Sequence, residues 1–196
     1  MVNKTKIVTR TIWVLFLTVF AGISTMQAQK FTLNNGSSEL TIFGTSNVHD
    51  WEETAEKQSG SITLSGEDSK TIDAMEIAVE AESLKSGKSG MDNNTYKALN
   101  TDKYKTINFK LTEVSSMEKQ SDGSYSVKAK GDLTLSGVTK NIDLNFKLTN
   151  SGNSVTLTGE KEINMTHYKI DPPRALMGAI KTGESVTLKF KTVLNQ

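Results

Sequence analysis

The sequence predicts an all-β protein with antiparallel strands and one short helix. Apolar and polar residues alternate strictly over several stretches, which is the pattern of a strand with one dry face and one wet face. Clusters rich in Gly, Asn, Ser and Asp separate these stretches, as in NNGSS, KQSDGS and TNSGNS. Connections this short favour antiparallel neighbours, because parallel strands need long crossovers.

The N-terminal segment, residues 1–28, is typical of a secretory signal peptide. It carries Lys4, Lys6 and Arg10 but no acidic residue, then the apolar run IWVLFLTVFAGI, which STMQAQ follows. The apolar run is shorter than the roughly 20 residues that a membrane-spanning helix needs. We therefore expect cleavage after Ala28 and no stable membrane span afterwards, with an uncleaved anchor as the alternative.

The remaining 168 residues, 29–196, have the length of a single domain. The chain contains no cysteine, which excludes disulfides, thiolate metal sites and a lipid anchor attached to cysteine. Without the three cations of the signal, 20 basic residues stand against 22 acidic ones. This balance gives no reason to expect nucleic acid as a partner.

About eight strands are expected in the mature chain. Alternation is clearest over residues 73–82, 125–135, 141–148 and 185–192. In the third stretch, for example, Ile, Leu and Phe take every second position between Asn, Asp and Lys. Weaker segments of the same kind cover residues 40–42, 62–64, 107–111 and 155–157.

One segment, residues 89–104, breaks the alternation and predicts a short helix. Ser89 and Asp92 are suitable capping residues, and Met91 and Leu99 lie at helical spacing.

Eight strands that are dry on one face must bury those faces together. Two stacked sheets or a closed barrel would achieve this. An eight-stranded barrel has an interior just wide enough to be filled by side chains or to hold one small ligand. Which of the two applies here is the functional question.

The adjacent pair His49–Asp50 is the first candidate for catalysis, and we assign it no catalytic role. Consecutive strand residues point to opposite faces, so they make a poor acid–base pair. The chain also lacks a G-x-S-x-G nucleophile motif and a cysteine nucleophile. Because His49 and His167 are far apart and the acids are scattered, no metal site is expected either. We therefore expect a protein that is not an enzyme.

The connection that precedes the last strand, residues 165–186, is long and contains Pro172 and Pro173. Long ordered loops are often functional, although this one could equally act as a plug for one barrel end. Arg174 is the one arginine of the mature chain. Its planar guanidinium suits a carboxylate or phosphate, which makes it a candidate for binding a lipid head group. The alternative role is a surface salt bridge.

Three motifs carry a resemblance to a known family. The run GDLTLSGVTKNIDLNFKL (131–148) resembles the G-x-L-T-x-x-G-V-T-K signature of the YceI-like, or polyisoprenoid-binding, family. SGMDNNTYKALNTDKYKTINF (89–109) is similar to that family's charged helix followed by K-Y-P-x-I-x-F, and GTSNVHDWEE (44–53) resembles its first motif. The chain departs from the pattern at Asn94, near which a histidine is common, and at Thr106, where proline is usual.

The resemblance covers residues 31–194 and implies a lipocalin-like, eight-stranded antiparallel barrel in the periplasm. It also implies an apolar interior that holds a long isoprenoid chain, such as a polyprenol or a quinone tail. On this reading His49 and Trp51 belong to the wall or mouth of the barrel. The five methionines of the mature chain suit adaptable apolar sites, although ordinary core filling is the alternative for each.

The sequence thus predicts a periplasmic protein, a monomer or homodimer, that binds, sequesters or carries a long-chain isoprenoid or similar lipid. It needs no cofactor apart from such a bound isoprenoid or quinone lipid. The alternative function is a ligand-free structural or interaction module with a packed barrel. Besides the head-group candidate Arg174, the predicted ligand-binding residues are Ile42, His49, Trp51, Met75, Ile77, Val79, Met91, Leu99, Phe109, Leu133, Leu144, Phe146, Met177, Leu188 and Phe190.

Overall fold

The computed structural model describes residues 28–66 and 70–196, so the predicted signal peptide lies outside the described residues except for Ala28. Within these residues, one α-helix, α1 (Ser89–Leu99), accompanies a chain that is mostly β-strand. The strands are β1 (Gln29–Leu33), β2 (Glu39–Ser46), β3 (Trp51–Ala55), β4 (Gln58–Ser65), β5 (Thr71–Glu80), β6 (Leu84–Lys85), β7 (Thr106–Lys119), β8 (Tyr125–Leu135), β9 (Val138–Asn150), β10 (Ser154–Asn164), β11 (Arg174–Ala175) and β12 (Ile180–Asn195). Among the described residues, no helix has the length and apolarity to cross a membrane.

Eight strands close into an antiparallel barrel, as predicted. Their order is β1-β4-β5-β7-β8-β9-β10-β12, and β1 pairs with β12 to complete the ring. The closing contact is short: Thr32 faces Asn195 and Leu33 faces Leu194. Each pair along the ring is antiparallel, which agrees with the short turns between consecutive strands.

At one end of the barrel the wall continues through a second set of strands. After β1 the chain makes a 3₁₀ turn (Asn35–Ser37) and returns to β12 as β2, now pairing with the first part of that strand. β3 pairs with β2, and the two-residue β6 pairs with β3. α1 then packs against β6 and the 3₁₀ turn before it, so that the helix completes the wall at this end.

Inward-facing apolar side chains form two clusters, one at each end of the barrel. The cluster at the end that holds the starts of β8 and β10 packs tightly, and we call this end the closed half. Its buried members are Phe31, Ile62, Leu64, Ile72, Met75, Tyr125, Val127, Ala129, Phe146, Leu148, Val155, Leu157 and Leu194. The other end, which we call the cavity half, has as its buried members Ile42, Ala55, Val79, Leu84, Leu133, Ile163, Met165, Tyr168, Ile170 and Val186.

Two element boundaries differ from the prediction. The predicted helix of residues 89–104 ends at Leu99, because Asn100 adopts the left-handed conformation (φ 52°) and terminates it. Neither Ser89 nor Asp92 caps the helix: Lys88 is the N-cap residue, without a side-chain hydrogen bond. The last strand begins at Ile180 and not near residue 185, because β11 pairs with it and a register shift lies between Thr182 and Val186.

Candidate ligand-binding site

A cavity of about 540 Å³ occupies the cavity half. This volume lies within the range of natural ligand sites. Its lining is mostly aliphatic, with a few polar side chains. The apolar lining residues are Leu40, Ile42, Trp51, Val79, Leu84, Met91, Ala98, Leu99, Ile107, Leu133, Leu135, Ile163, Met165, Ile170, Pro173, Leu176, Ile180, Val186 and Leu188.

The register of β2 and β12 gives the depth of each lining residue. Ser46 faces Thr182 at the mouth of the cavity, Gly44 faces Val186 below it, and Ile42 faces Leu188 deeper still. On the other side of β2, Glu53 faces Ile42. At a rise of about 3.3 Å per residue, the level of Glu53 is therefore about 13 Å from Ser46 along β2.

The mouth of the cavity is an ordered rim, formed by residues 46–49 and 173–182. Ser46 Oγ accepts hydrogen bonds from the backbone N–H of Val48 and His49, at 3.2 and 3.1 Å. Asn47 joins the two parts of the rim, because its side chain donates to the Ala179 carbonyl and accepts from the Lys181 N–H.

His49 and Trp51 both line the upper cavity, in different ways. His49 is exposed, and its Nδ1 lies 2.7 Å from the Asp50 carbonyl oxygen, so it contacts the backbone of its neighbour and not the carboxylate. Trp51 donates from Nε1 to the Thr45 carbonyl at 3.0 Å. Its ring covers Gly44 so closely that a Cβ there would lie 2.1 Å from the ring. This glycine lets the indole lie flat against the wall.

A carboxyl group lies inside the cavity wall. Glu53 lines the cavity and is only 2% exposed. Thr95 Oγ1, on α1, donates a 2.6 Å hydrogen bond to Glu53 Oε1. Burial raises the pKa of Glu53 to about 7, and the charge of Asp92 raises it as well, while the bond from Thr95 and the charge of Lys85 lower it. The acid is therefore largely neutral just below neutral pH.

The neighbouring acid, Asp92, behaves differently. It is buried, but the hydroxyl and the backbone N–H of Ser86 both donate to its Oδ1, at 2.6 and 2.9 Å. Burial would raise the pKa of Asp92, yet the bonds from Ser86 outweigh it and the pKa is lowered. Asp92 is therefore ionised and keeps a negative charge close to Glu53.

The structure separates the predicted site residues into two groups. One group lines the cavity, and its role in ligand binding stays a prediction; it consists of Ile42, His49, Trp51, Val79, Met91, Leu99, Leu133, Arg174 and Leu188. The others do not line it. Met75 and Phe146 are buried members of the closed half, and packed against that half are Ile77, Phe109, Leu144 and Phe190.

The reason for this difference is position along the strands. The second group has the correct inward parity but lies nearer to the closed half. Phe109 packs against both clusters, and its ring meets Gly131, where a Cβ would lie 2.2 Å away. Phe190 similarly covers Gly159. Met177 was expected in the site because it is apolar, but it is fully exposed on the rim.

Arg174 lies at the mouth of the cavity. It is exposed on the rim, lines the cavity and faces Lys181 in the β11–β12 pair. Within residues 28–66 and 70–196 no acid forms a salt bridge with it. The same part of the chain holds no group of three His, Asp or Glu side chains arranged to bind a metal ion.

Sequence reasoning missed Glu53 and Thr95 as site residues. A signal for Glu53 was available, because it shares the inward parity of Trp51 and Ala55 in the strand WEETA. Thr95 lies one turn after Met91 on the helix, and both line the cavity. The residues after β10, such as Met165 and Ile170, were read as loop and gave no periodic signal.

Comparison with known proteins identifies the fold family. A family model described as the YceI-like domain matches residues 31–194. No curated protein sequence is significantly similar to this chain.

Three solved structures share the fold at low identity. BcnA of Burkholderia cenocepacia superposes with a TM-score of 0.67 and 14% identity, covering 82% of this chain and 98% of its own. A polyisoprenoid-binding domain from Saccharophagus degradans, implicated in plant cell wall breakdown, has a TM-score of 0.67 and 14% identity, covering 84% and 97%. A YceI protein from Campylobacter jejuni has a TM-score of 0.56 and 15% identity, covering 72% and 82%.

Proposed function

We propose that this chain, which belongs to the YceI-like family, is a periplasmic protein that binds a long-chain isoprenoid or similar lipid. The observation that carries the proposal is the aliphatic cavity of about 540 Å³ above a packed closed half. A cavity that is shut at one end and apolar along its walls suits one end of a hydrocarbon chain. The Saccharophagus degradans domain of the same fold is a polyisoprenoid-binding domain, which is consistent with this.

The energetics favour a long chain over a short one. Each methylene that leaves water contributes about 0.8 kcal/mol, whereas association costs roughly 4–15 kcal/mol in lost translational and rotational freedom. A ligand with only a few carbons therefore binds weakly, and a chain of several isoprene units binds without any charged partner. Burial in the barrel would then be the mechanism of sequestration or transport.

The rim supports exchange of an apolar ligand. Val48, Leu176 and Met177 are its exposed large apolar residues, and Asn47 connects their two segments by its bond to Ala179. Leu176 and Met177 both have positive φ, at 49° and 53°, which is an unfavourable conformation for such side chains. Apolar side chains held outward at the mouth would shield a hydrocarbon chain as it enters. The pattern of residues 1–28 supports export to the periplasm.

The proposal is binding and not catalysis. Among residues 28–66 and 70–196, the hydrogen-bond partner of the His49 imidazole is the backbone carbonyl of Asp50 and not an acidic or basic side chain. The alternative, a ligand-free module with a packed barrel, is supported by the closed half alone. The cavity half gives such a module no packed interior.

Native mass spectrometry of the mature protein, purified from its own cells without detergent, tests the proposal. We expect an added mass that organic extraction removes and that a supplied isoprenoid alcohol restores. The variant Leu188→Trp, which fills the cavity, should lose this adduct. A bare polypeptide mass, together with no uptake of any supplied chain, would favour the packed module.

A further inference from the structure

The apolar wall of the cavity has a polar position at the seam between β3 and α1. Glu53 lies there, 2% exposed, and its neighbours across β2 are Ile42 and then Leu188. Thr95 and the preceding Asn94 line the cavity on the helix side. Polar side chains from both β3 and α1 therefore meet here, and aliphatic side chains surround them.

The hydrogen bonding of Glu53 leaves capacity for a ligand. Among the described residues, Thr95 Oγ1 is the donor to one carboxyl oxygen, and no side chain or backbone group bonds the other. The oxygen of Glu53 that the protein leaves unbonded can still take part in a hydrogen bond. Because Glu53 lines the cavity, the partner in that bond can come from a bound molecule.

From this arrangement we infer that Glu53 and Thr95 bind an uncharged, hydrogen-bonding head group, such as the hydroxyl of a long-chain alcohol, inside the cavity. The inference rests on the proposed function and specifies the chemical class of its ligand. A hydroxyl both donates and accepts, so it can match either protonation state of the carboxyl group.

Charge around Glu53 disfavours the other head groups. Asp92 is held ionised by Ser86 and lies near Glu53, so a phosphate would meet one negative charge and a second carboxyl group. Lys85, the nearby cation, donates to the Tyr96 hydroxyl and its charge offsets part of this repulsion. An ammonium head would have to lose its hydration among aliphatic side chains, which is expensive. The neutral state of Glu53 just below neutral pH also favours a neutral partner.

The depth of Glu53 separates this site from the rim. The level of Glu53 is about 13 Å from Ser46 along β2, whereas Arg174 is an exposed rim residue. A head group bound at Glu53 is enclosed by the protein, and one bound at Arg174 stays at the surface. Binding at Glu53 and binding at Arg174 therefore favour different head groups: an uncharged one inside the protein and a charged one at the surface.

Competition against a fluorescent apolar probe tests the inference, with four ligands that share one farnesyl chain: the alcohol, the hydrocarbon, the monophosphate and the amine. One hydrogen bond in a buried site is worth about tenfold in affinity. We expect the wild type to bind the alcohol about tenfold more tightly than the hydrocarbon and more tightly than the monophosphate and amine.

Three variants complete the comparison: a test, a conservative change and a control. Glu53→Met removes the hydrogen bond and should bring the alcohol-to-hydrocarbon ratio to one or below. Glu53→Gln keeps hydrogen-bonding capacity and should retain most of the preference. Glu52→Gln makes the same charge change on an exposed neighbour and should leave the ratio unchanged. A purely structural role of Glu53 would alter all four affinities together and would not move the ratio.

If the alcohol-to-hydrocarbon affinity ratio is the same in the wild type and in Glu53→Met, the inference is overturned and the proposed function stays intact. Tighter binding of the monophosphate or the amine than of the alcohol by the wild type would also overturn it. If none of the four ligands displaces the probe, the proposed function itself fails and the inference fails with it.

Discussion

Thr95 Oγ1 on α1 donates a 2.6 Å hydrogen bond to Glu53 Oε1 on β3. This bond joins the helix to the barrel wall at Glu53, the acid that lines the cavity in the described part of the chain. Two adjacent residues, Glu52 and Glu53, have the same chemistry, yet only Glu53 is buried, because successive strand residues point to opposite faces. The helix and the strand therefore share a polar contact inside an apolar space.

We expect stability to depend on pH through Glu53. Its native pKa, about 7, lies above its ordinary value of 4.5, so between these values the native state keeps a proton that the unfolded chain has lost. The stability that neutral Glu53 provides is complete below pH 4.5 and is lost as the pH rises through 7. Relative to Glu53→Gln, the wild type should lose up to about 3 kcal/mol across this window.

Urea unfolding of both proteins at a series of pH values measures this difference. Titrating groups that do not interact with Glu53 contribute equally to the two proteins and cancel in the comparison. Glu52→Gln serves as the control on the outer face. A difference between wild type and Glu53→Gln that stays constant with pH would contradict the raised pKa.

A pair of tryptophan substitutions distinguishes the cavity half from the closed half. Leu188 lines the cavity, whereas Leu144 packs against the closed half, and both are partly buried on inward faces. Leu188→Trp should reduce lipid binding with little loss of stability, because the added ring enters open space. Leu144→Trp should cost roughly 1–3 kcal/mol, because it overpacks a filled region.

Thermal unfolding together with probe binding measures both effects. The prediction holds if Leu188→Trp loses binding but keeps its stability, while Leu144→Trp loses stability. Equal destabilisation by the two substitutions, with no change in binding, would indicate a barrel that is packed throughout.

Gly44→Ala should displace the indole of Trp51. A Cβ at residue 44 would lie 2.1 Å from the ring, so the ring must leave its place against the wall. We expect a loss of roughly 1–3 kcal/mol and a red shift of the tryptophan emission. Trp51 is the one tryptophan outside residues 1–28, so it reports alone in the mature protein.

Gly36→Ala is the matched control for this substitution. Its Cβ would meet Asn34 at 3.6 Å, an ordinary contact, so both stability and emission should stay close to the wild type. An unshifted emission in Gly44→Ala would show that the indole does not lie on residue 44 in solution.

Arg174→Lys tests the rim as a place for a charged head group. Because Arg174 is exposed at the mouth, far above Glu53, we expect the substitution to leave binding of the farnesyl alcohol and hydrocarbon unchanged. The competition assay described above measures this. A loss confined to the monophosphate would assign recognition of charged heads to Arg174, since lysine lacks the planar fork.

The strands could be predicted from the sequence because their pattern is local. In β8, Tyr125, Val127, Ala129 and Leu133 are buried while Ser126 and Lys128 are exposed, which is the alternation that the sequence displays. A strand places successive side chains on opposite faces whatever its neighbours are, so the inward face follows from residue type alone. Eight such faces then required a closed or layered arrangement.

Tertiary structure decided which inward-facing residues meet a ligand. Leu188 and Phe190 have the same parity in β12, yet only Leu188 lines the cavity. Phe190 covers Gly159 on the neighbouring strand, and Phe109 likewise covers Gly131. Whether an inward side chain faces empty space depends on the size of residues that oppose it on other strands, which a local pattern does not contain.

The polar position in the cavity also depended on tertiary structure. Residue parity turns Glu53 inward, but only the docking of α1 supplies Thr95 and the nearby charge of Asp92. The sequence by itself determined an antiparallel barrel with dry inner faces, because alternation has a single geometric consequence. The position of its cavity and the acid within it were decided by contacts between residues 42 positions apart along the chain, because those contacts exist only once the helix has packed against the wall.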